Sequence, residues 1–138
     1  MVKKFQNKKF QKDFTFGLEQ EDIIKPKLEE HFGIKLVKTA TSARFDYIGE
    51  NIYIELKSRR NEKYKYPTTM VGEGKYKIGL ELLSQGNRII YCFNFTDKLS
   101  FIEPQDNPVE IKTGGRCDRG RPELNKYVFF PVEDLIDI

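Results

Sequence analysis

Segment 44–57 carries three side chains whose chemistry would be useful together: the carboxylates of Asp46 and Glu55 and the ammonium of Lys57. Apolar and polar residues alternate through this segment, which predicts two half-buried strands. A two-residue turn at 50–51 would set Asp46 opposite Glu55, with their Cβ atoms about 5 Å apart. Carboxylates that close repel each other unless a cation lies between them, and Mg2+ prefers oxygen ligands. Lys57 projects from the same face as Glu55 because successive side chains point to opposite sides of a strand.

The same alternation divides the predicted hairpin into two faces. One face carries Phe45, Tyr47, Ile52, Ile54 and Leu56, and the other carries Asp46, Ile48, Tyr53, Glu55 and Lys57. An ordinary hairpin with a charged, solvated face would show the same pattern. The segment alone therefore supports either a cation site or a charged surface.

The element before this hairpin is a predicted helix over 18–32. Apolar residues recur at helical spacing from Leu18 to Phe32, and Gly33 is of the type that ends helices. Pro26 predicts a kink, or a helix start near position 25. Glu21 lies at the edge of the apolar stripe, where a carboxylate is costly unless something pairs with it. The alternative for Glu21 is a carboxylate that stabilises the start of the helix.

The remaining elements alternate between strands and helices. We predict strands over 34–39, 88–95, 99–102 and 127–130, helices over 75–84 and 132–136, and loops over 61–74 and 114–125. Segment 88–95 is almost continuously apolar, which is typical of a central strand buried on both faces. This order of elements predicts an α/β fold with a mixed sheet.

Length and composition favour one globular unit. The chain has 138 residues, of which 38% are hydrophobic and 33% charged, and its net charge is +3. We predict a basic arm over 1–15 and a single domain over 16–138. Cys92 and Cys117 do not suggest a disulfide framework, no apolar run is long enough for a membrane span, and no secretion signal is visible. These features predict an intracellular protein that is not secreted.

Basic residues are concentrated in three stretches, 1–16, 57–77 and 112–126, which hold 17 of the 24 lysines and arginines. Clustered positive charge is typical of proteins that bind a polyanion. The predicted phosphate contacts are Arg59, Arg60, Lys63, Lys65, Lys75, Arg116, Arg119 and Arg121. Tyrosines interleave with lysines in the loop over 61–74, which suits phosphate contact and base stacking but also a surface loop anchored by tyrosine.

Over residues 18–95 the chain resembles the PD-(D/E)XK nuclease superfamily. That superfamily has an αβββαβ core, with an Asp near the end of one strand and a (Asp/Glu)-x-Lys motif in the next. Asp46 and Glu55-Leu56-Lys57 match these positions, although Phe45 stands where the motif has Pro.

Segment 17–24 resembles the first helix of the phage Holliday-junction resolvases in this superfamily. The Glu of that helix matches Glu21 best and Glu19 second.

The resemblance implies a restriction-endonuclease-like α/β fold with a mixed central sheet and extra C-terminal strands. It also implies a metal-dependent endonuclease that cuts DNA, with branched DNA favoured, and a homodimer because resolving a junction takes two symmetric cuts. One or two Mg2+ or Mn2+ ions would be held by Asp46, Glu55 and the Leu56 carbonyl, with Glu21 binding directly or through water. Lys57 would orient or deprotonate the attacking water, or stabilise the transferred phosphate.

Three alternatives stay open at this point: a restriction-type or nicking nuclease on the same fold, an RNA-cleaving nuclease, and a nucleic-acid-binding protein without catalysis. Other hydrolases are disfavoured. The single histidine, His31, leaves a serine or cysteine nucleophile without its usual base, and Gly72-Glu73-Gly74-Lys75 lacks the spacing of a phosphate-binding loop.

Overall fold

The central hairpin has the register that the sequence predicts. In a computed structural model, which describes residues 8–40, 43–104, 110–116 and 123–138, strand β2 (Tyr47–Gly49) pairs with β3 (Ile52–Ser58). Tyr47 lies opposite Ile54, and Gly49 lies opposite Ile52. Asn51 closes the two-residue turn with φ of 60°, a left-handed conformation that asparagine tolerates better than most residues. The predicted turn at 50–51 is therefore confirmed.

The hairpin belongs to a mixed six-stranded sheet. Strand β1 (Val37–Lys38) flanks β2, and β5 (Arg88–Asn94) runs parallel to β3 on its other side. Strands β6 (Leu99–Ile102) and β9 (Ile136–Asp137) complete the order β1-β2-β3-β5-β6-β9. The predicted α/β fold with a mixed central sheet is confirmed, and β5 is buried along almost its whole length.

Three further strands form a second sheet. Strand β4 (Thr68–Gly72) pairs with β8 (Glu123–Pro131), which also pairs with β7 (Glu110–Arg116). The loop predictions over 61–74 and 114–125 are wrong at β4, at the end of β7 and at the start of β8, whereas the predicted strand over 127–130 lies within β8. The reason is that β4 and β8 draw their backbone hydrogen bonds from partners more than 50 residues apart, which local residue preferences do not report.

Two helices cover opposite faces of the six-stranded sheet and create two hydrophobic cores. Helix α1 (Lys8–Phe32) buries Ile24 and Leu28 against the face that contains Tyr47 and Ile54. Helix α2 (Glu73–Ser84) and the second sheet cover the other face, where the ring of Phe130 stacks on Tyr91 and lies tilted against Phe93. Each core holds a layer of large apolar side chains whose burial stabilises the fold.

Three local predictions need correction. Helix α1 begins at Lys8, ten residues before the predicted start at position 18, and it contains Pro26, so the alternative start near position 25 is also wrong; residues buried on both sides of the proline hold the helix in place. Phe45 packs in the core of the opposite face from Tyr47, since it lies before β2 begins and is not bound by the alternation of the strand. The predicted helix over 132–136 is a 3-10 turn, Val132–Asp134, followed by β9.

Within the described ranges, neither helix combines the length and apolarity that crossing a membrane requires.

Candidate active site

Glu55 is a buried carboxylate held between two ammonium groups. Only 4% of the residue is exposed. Lys57 Nζ lies 3.2 Å from one carboxylate oxygen and Lys75 Nζ lies 3.3 Å from the other. The Lys75 ammonium also lies 5.4 Å from the centre of the Phe45 ring. The backbone carbonyl of Lys75 accepts a hydrogen bond from the Tyr91 hydroxyl. A buried carboxylate needs such partners because desolvation would otherwise disfavour its charge.

Asp46 continues the β2–β3 ladder with its side chain. Its backbone N–H donates to the Ile54 carbonyl at 3.0 Å, while its Oδ2 accepts the Leu56 N–H at 2.7 Å. The carboxylate thus stands where a strand carbonyl would stand if β2 were longer. These two contacts fix the side chain at the position where β2 begins and β3 reaches Glu55.

Burial and neighbouring carboxylates both disfavour the charged form of Asp46. Burial, and after it the neighbouring charge of Glu55, raise the pKa of Asp46 from 3.8 to about 7. The hydrogen bond from the Leu56 N–H acts in the opposite direction, and the charge of Glu21 adds a smaller increase. A carboxyl group whose charge is disfavoured by burial and by a neighbouring carboxylate favours an added cation.

The Leu56 carbonyl is directed toward the same place. The N–H and C=O of one strand residue point to the same side, and the Leu56 N–H points to Asp46. Since β2 begins at Tyr47, it has no further N–H to offer this carbonyl. Asp46, Glu55 and the Leu56 carbonyl therefore form an oxygen-rich set that fits a hard divalent cation. Among the described residues, no three histidine, cysteine or acidic side chains form a preformed metal cluster, so the set is two carboxylates and a carbonyl.

Glu21 approaches this set from α1. Its backbone carbonyl accepts the hydroxyl of Tyr47, which ties this turn of the helix to β2. Burial raises the pKa of the Glu21 carboxyl, the ammonium of Lys38 at 3.7 Å lowers it, and the charge of Glu55 raises it. Glu19, in contrast, is exposed. Of the two predicted helix carboxylates, Glu21 is the one whose electrostatics connect it to the pair on the hairpin.

The predicted phosphate contacts divide into several environments. Arg59 donates to the Met70 carbonyl at 2.8 Å, and its guanidinium lies 5.8 Å from the Phe93 ring, so it joins β3 to the second sheet. Arg60 and Lys65 are exposed. Arg119 and Arg121 lie outside the described residues, as does the side chain of Arg116.

Lys63 differs from the surface role that the sequence predicts. The residue is only 2% exposed, and its ammonium lies 2.7 Å from the Asp137 carboxylate and 3.4 Å from the Leu135 carbonyl. Its positive charge is thus used inside the protein, where desolvation makes an ion pair necessary. We do not retain Lys63 among the phosphate contacts.

Two features of the site escaped the sequence reasoning. Lys75 belongs to the carboxylate pair, whereas the sequence suggests only a member of a basic cluster. A signal existed, because a lysine in the first turn of a helix is disfavoured by the helix dipole and so suggests a specific partner. The second feature is the hydrogen bond of 2.7 Å from Asn94 to Gln20, which connects the end of β5 to α1 and has no local sequence signal.

A family model described as "Phage putative PDDEXK endonuclease" matches residues 11–138. The chain belongs to this family. No curated protein matches it. Membership in the PDDEXK endonuclease family confirms the resemblance to the PD-(D/E)XK superfamily in a phage context, and it covers both sheets as well as α2. The family also favours a nuclease over the other classes that the sequence leaves open.

Proposed function

We propose that this protein is a Mg2+-dependent endonuclease that hydrolyses phosphodiester bonds in DNA, with Mn2+ as a substitute ion. The observation that carries the proposal is the meeting of Asp46 and Glu55 beside the ammonium of Lys57, at the point where β2 begins. Family membership supports the nuclease class, and the side chains support the division of roles below.

Asp46, Glu55 and the Leu56 carbonyl would hold the cation, with Glu21 completing its surroundings directly or through water. A bound divalent ion supplies Lewis-acid activation of the scissile phosphate and of the attacking water. The elevated pKa of Asp46, about 7, means that the cation replaces a proton on this carboxyl near neutral pH. A bound cation would remove the repulsion between Asp46 and Glu55 that the fold imposes, and this gain would favour binding of the cation.

Lys57 and Lys75 would act on the substrate. Both ammonium groups lie within 3.3 Å of Glu55, so they are already at the place where a phosphate oxygen must approach. Lys57 would orient the water for attack, and its ammonium would stabilise the negative charge that develops on the phosphate. Lys75, which the cation would displace from Glu55, would then hold the phosphate from the side of α2.

The substrate would be branched DNA and the active species a homodimer. Two symmetric cuts require two active sites related by a two-fold axis. Exposed Arg60 and Lys65, which follow the catalytic strand, would contact phosphates on either side of the cut.

Incubation of the protein with a four-way junction, a plain duplex, single-stranded DNA and RNA, each in Mg2+ and in EDTA, tests the proposal. We expect products only with Mg2+ and mainly from DNA. Asp46→Asn and Glu55→Gln should abolish cleavage while leaving DNA binding in EDTA largely intact. Glu19→Gln is the matched control for Glu21→Gln, because both are helix carboxylates and only Glu21 is coupled to the pair. Wild-type cleavage by the Asp46→Asn and Glu55→Gln double variant would refute the assignment, and binding without products in any metal would favour a non-catalytic DNA-binding protein.

A further inference from the structure

Two tyrosines in the loop that follows the candidate catalytic strand present their rings to solvent. Tyr64 is 65% exposed and Tyr66 is 54% exposed. A tyrosine ring left in water forgoes the gain of burial, so two such rings in one short loop suggest a ligand that would cover them. Both belong to the loop that follows β3, the strand that carries Glu55 and Lys57.

This loop is held rigidly by contacts with the rest of the fold. Lys63 forms the buried ion pair with Asp137, and its N–H donates to the Asp97 carboxylate at 2.9 Å. The Asn61 carbonyl accepts the Thr96 N–H at 3.1 Å. A 3-10 turn, Lys63–Lys65, then places one tyrosine inside it and the other directly after it. A preformed platform of this kind loses less conformational entropy when a ligand binds.

An ammonium group lies against each ring. Lys63 Nζ is 5.1 Å from the centre of the Tyr64 ring, and Lys65 Nζ is 5.6 Å from the centre of the Tyr66 ring. Because Lys63 is buried and Tyr64 is largely exposed, the ammonium lies on the inner side of that ring and the exposed area faces outward. The cation–π contacts restrain both rings without covering them.

The loop is also close to the carboxylates along the chain. Tyr64 lies seven positions after Lys57, and seven residues of chain span at most about 24 Å. One strand of DNA advances about 3.4 Å per nucleotide. A base that reaches Tyr64 therefore lies within about seven nucleotides of a phosphate at Glu55.

We propose that Tyr64 and Tyr66 stack against unpaired DNA bases, so that the substrate class is DNA with unpaired nucleotides near the point of cleavage. This inference rests on the proposed DNA endonuclease function and refines its substrate. In a paired duplex both faces of each internal base are already stacked on neighbours, and only an unpaired base can offer a face to a tyrosine ring. The positive charge of exposed Lys65 suits the backbone phosphate that accompanies such a base.

Equilibrium binding in EDTA, where the proposed hydrolysis cannot proceed, provides the test. The probes are a duplex with a short single-stranded flap that carries 2-aminopurine and a fully paired duplex of the same length. Wild-type protein should bind the flap DNA more tightly and quench the 2-aminopurine fluorescence. The Tyr64→Ala and Tyr66→Ala double variant should lose about tenfold or more in affinity for the flap DNA, with little change for the paired duplex.

The Tyr64→Phe and Tyr66→Phe double variant is the matched control, because it keeps both rings and removes both hydroxyls. It should retain the preference and the quenching. Equal losses on both DNAs in the alanine variant, or no loss on either, would overturn the proposal. Cleavage in Mg2+ is measured separately: a flap preference that depends on the rings, found in a protein that cuts no DNA, supports the stacking surface and refutes the nuclease function, whereas Mg2+-dependent cleavage without that preference does the reverse.

Discussion

Replacement of Asp46 by asparagine should stabilise the metal-free protein above neutral pH. The pKa of this carboxyl is raised from 3.8 to about 7, chiefly by burial and then by the charge of Glu55. Between pH 4 and pH 7 the folded protein keeps a proton that the unfolded chain releases. The free energy of unfolding therefore falls as the pH rises through this window, and it stays low above it.

The magnitude follows from the pKa difference of about three units, which corresponds to about 4 kcal/mol as an upper figure. Relaxation of the site reduces this, so we expect a gain of about 2–4 kcal/mol for Asp46→Asn at pH 8, or on the order of 10 °C in Tm. Asparagine resembles the protonated acid, since its oxygen can accept the Leu56 N–H and its amide can donate to Glu55. At pH 4 the two proteins should be about equally stable.

Thermal and urea unfolding in EDTA at pH 4, 6 and 8 would measure this effect. Glu50→Gln is the matched control, because Glu50 is an exposed carboxylate in the turn of the same hairpin. Saturating Mg2+ at pH 8 should then stabilise the wild-type protein more than Asp46→Asn, since a ligand stabilises only the state that binds it. An asparagine variant that is less stable than wild type at pH 8, or a difference that does not vary with pH, would refute the electrostatic account of the site.

Three further predictions concern Lys75, Gly79 and Lys63. Lys75→Met should lower cleavage about 100-fold or more, because it removes a donor to the phosphate. It should also tighten Mg2+ binding, because it removes an ammonium that competes for Glu55; an unchanged Mg2+ titration would contradict this. Gly79→Ala should cost about 1–3 kcal/mol in urea unfolding, since the new Cβ would lie 2.4 Å from the Tyr91 hydroxyl, and it should also slow cleavage by shifting the support of the Lys75 backbone. Lys63→Met should cost about 1–3 kcal/mol, and a double-mutant cycle with Asp137→Asn should show that the two losses are not additive; additive losses would mean that the ion pair does not couple the loop to the last strand.

The hairpin was predictable because its determinants are local. Period-two alternation fixes which residues of β2 and β3 face each core, and a two-residue turn fixes their register, beyond which the Asp46 carboxyl comes under the charge of Glu55. The second sheet was not predictable in this way, because β4 pairs with β8, which lies more than 50 residues further along the chain. The pairing partner, more than the residue preferences, decides that segment 68–72 is a strand.

Side-chain partners across elements were the other source of error. Lys63 and Lys75 belong to one basic cluster in the sequence, but the fold sends one to Asp137 and the other to Glu55. Composition reports the number of charges and not their destinations. The position of Lys75 could be suspected from its place in the first turn of a helix, whereas the burial of Lys63 depends on a strand more than 70 residues away.

The ion pair between Lys63 and Asp137 joins the loop that carries Tyr64 and Tyr66 to β9, the edge strand of the six-stranded sheet, which lies three places away from β3. A substitution in that distant strand would move the rings and leave the carboxylates where they are. In the proposed mechanism, selectivity among DNA shapes would therefore depend on the edge of the sheet and the rate of bond breaking on the hairpin, so that the two could vary independently.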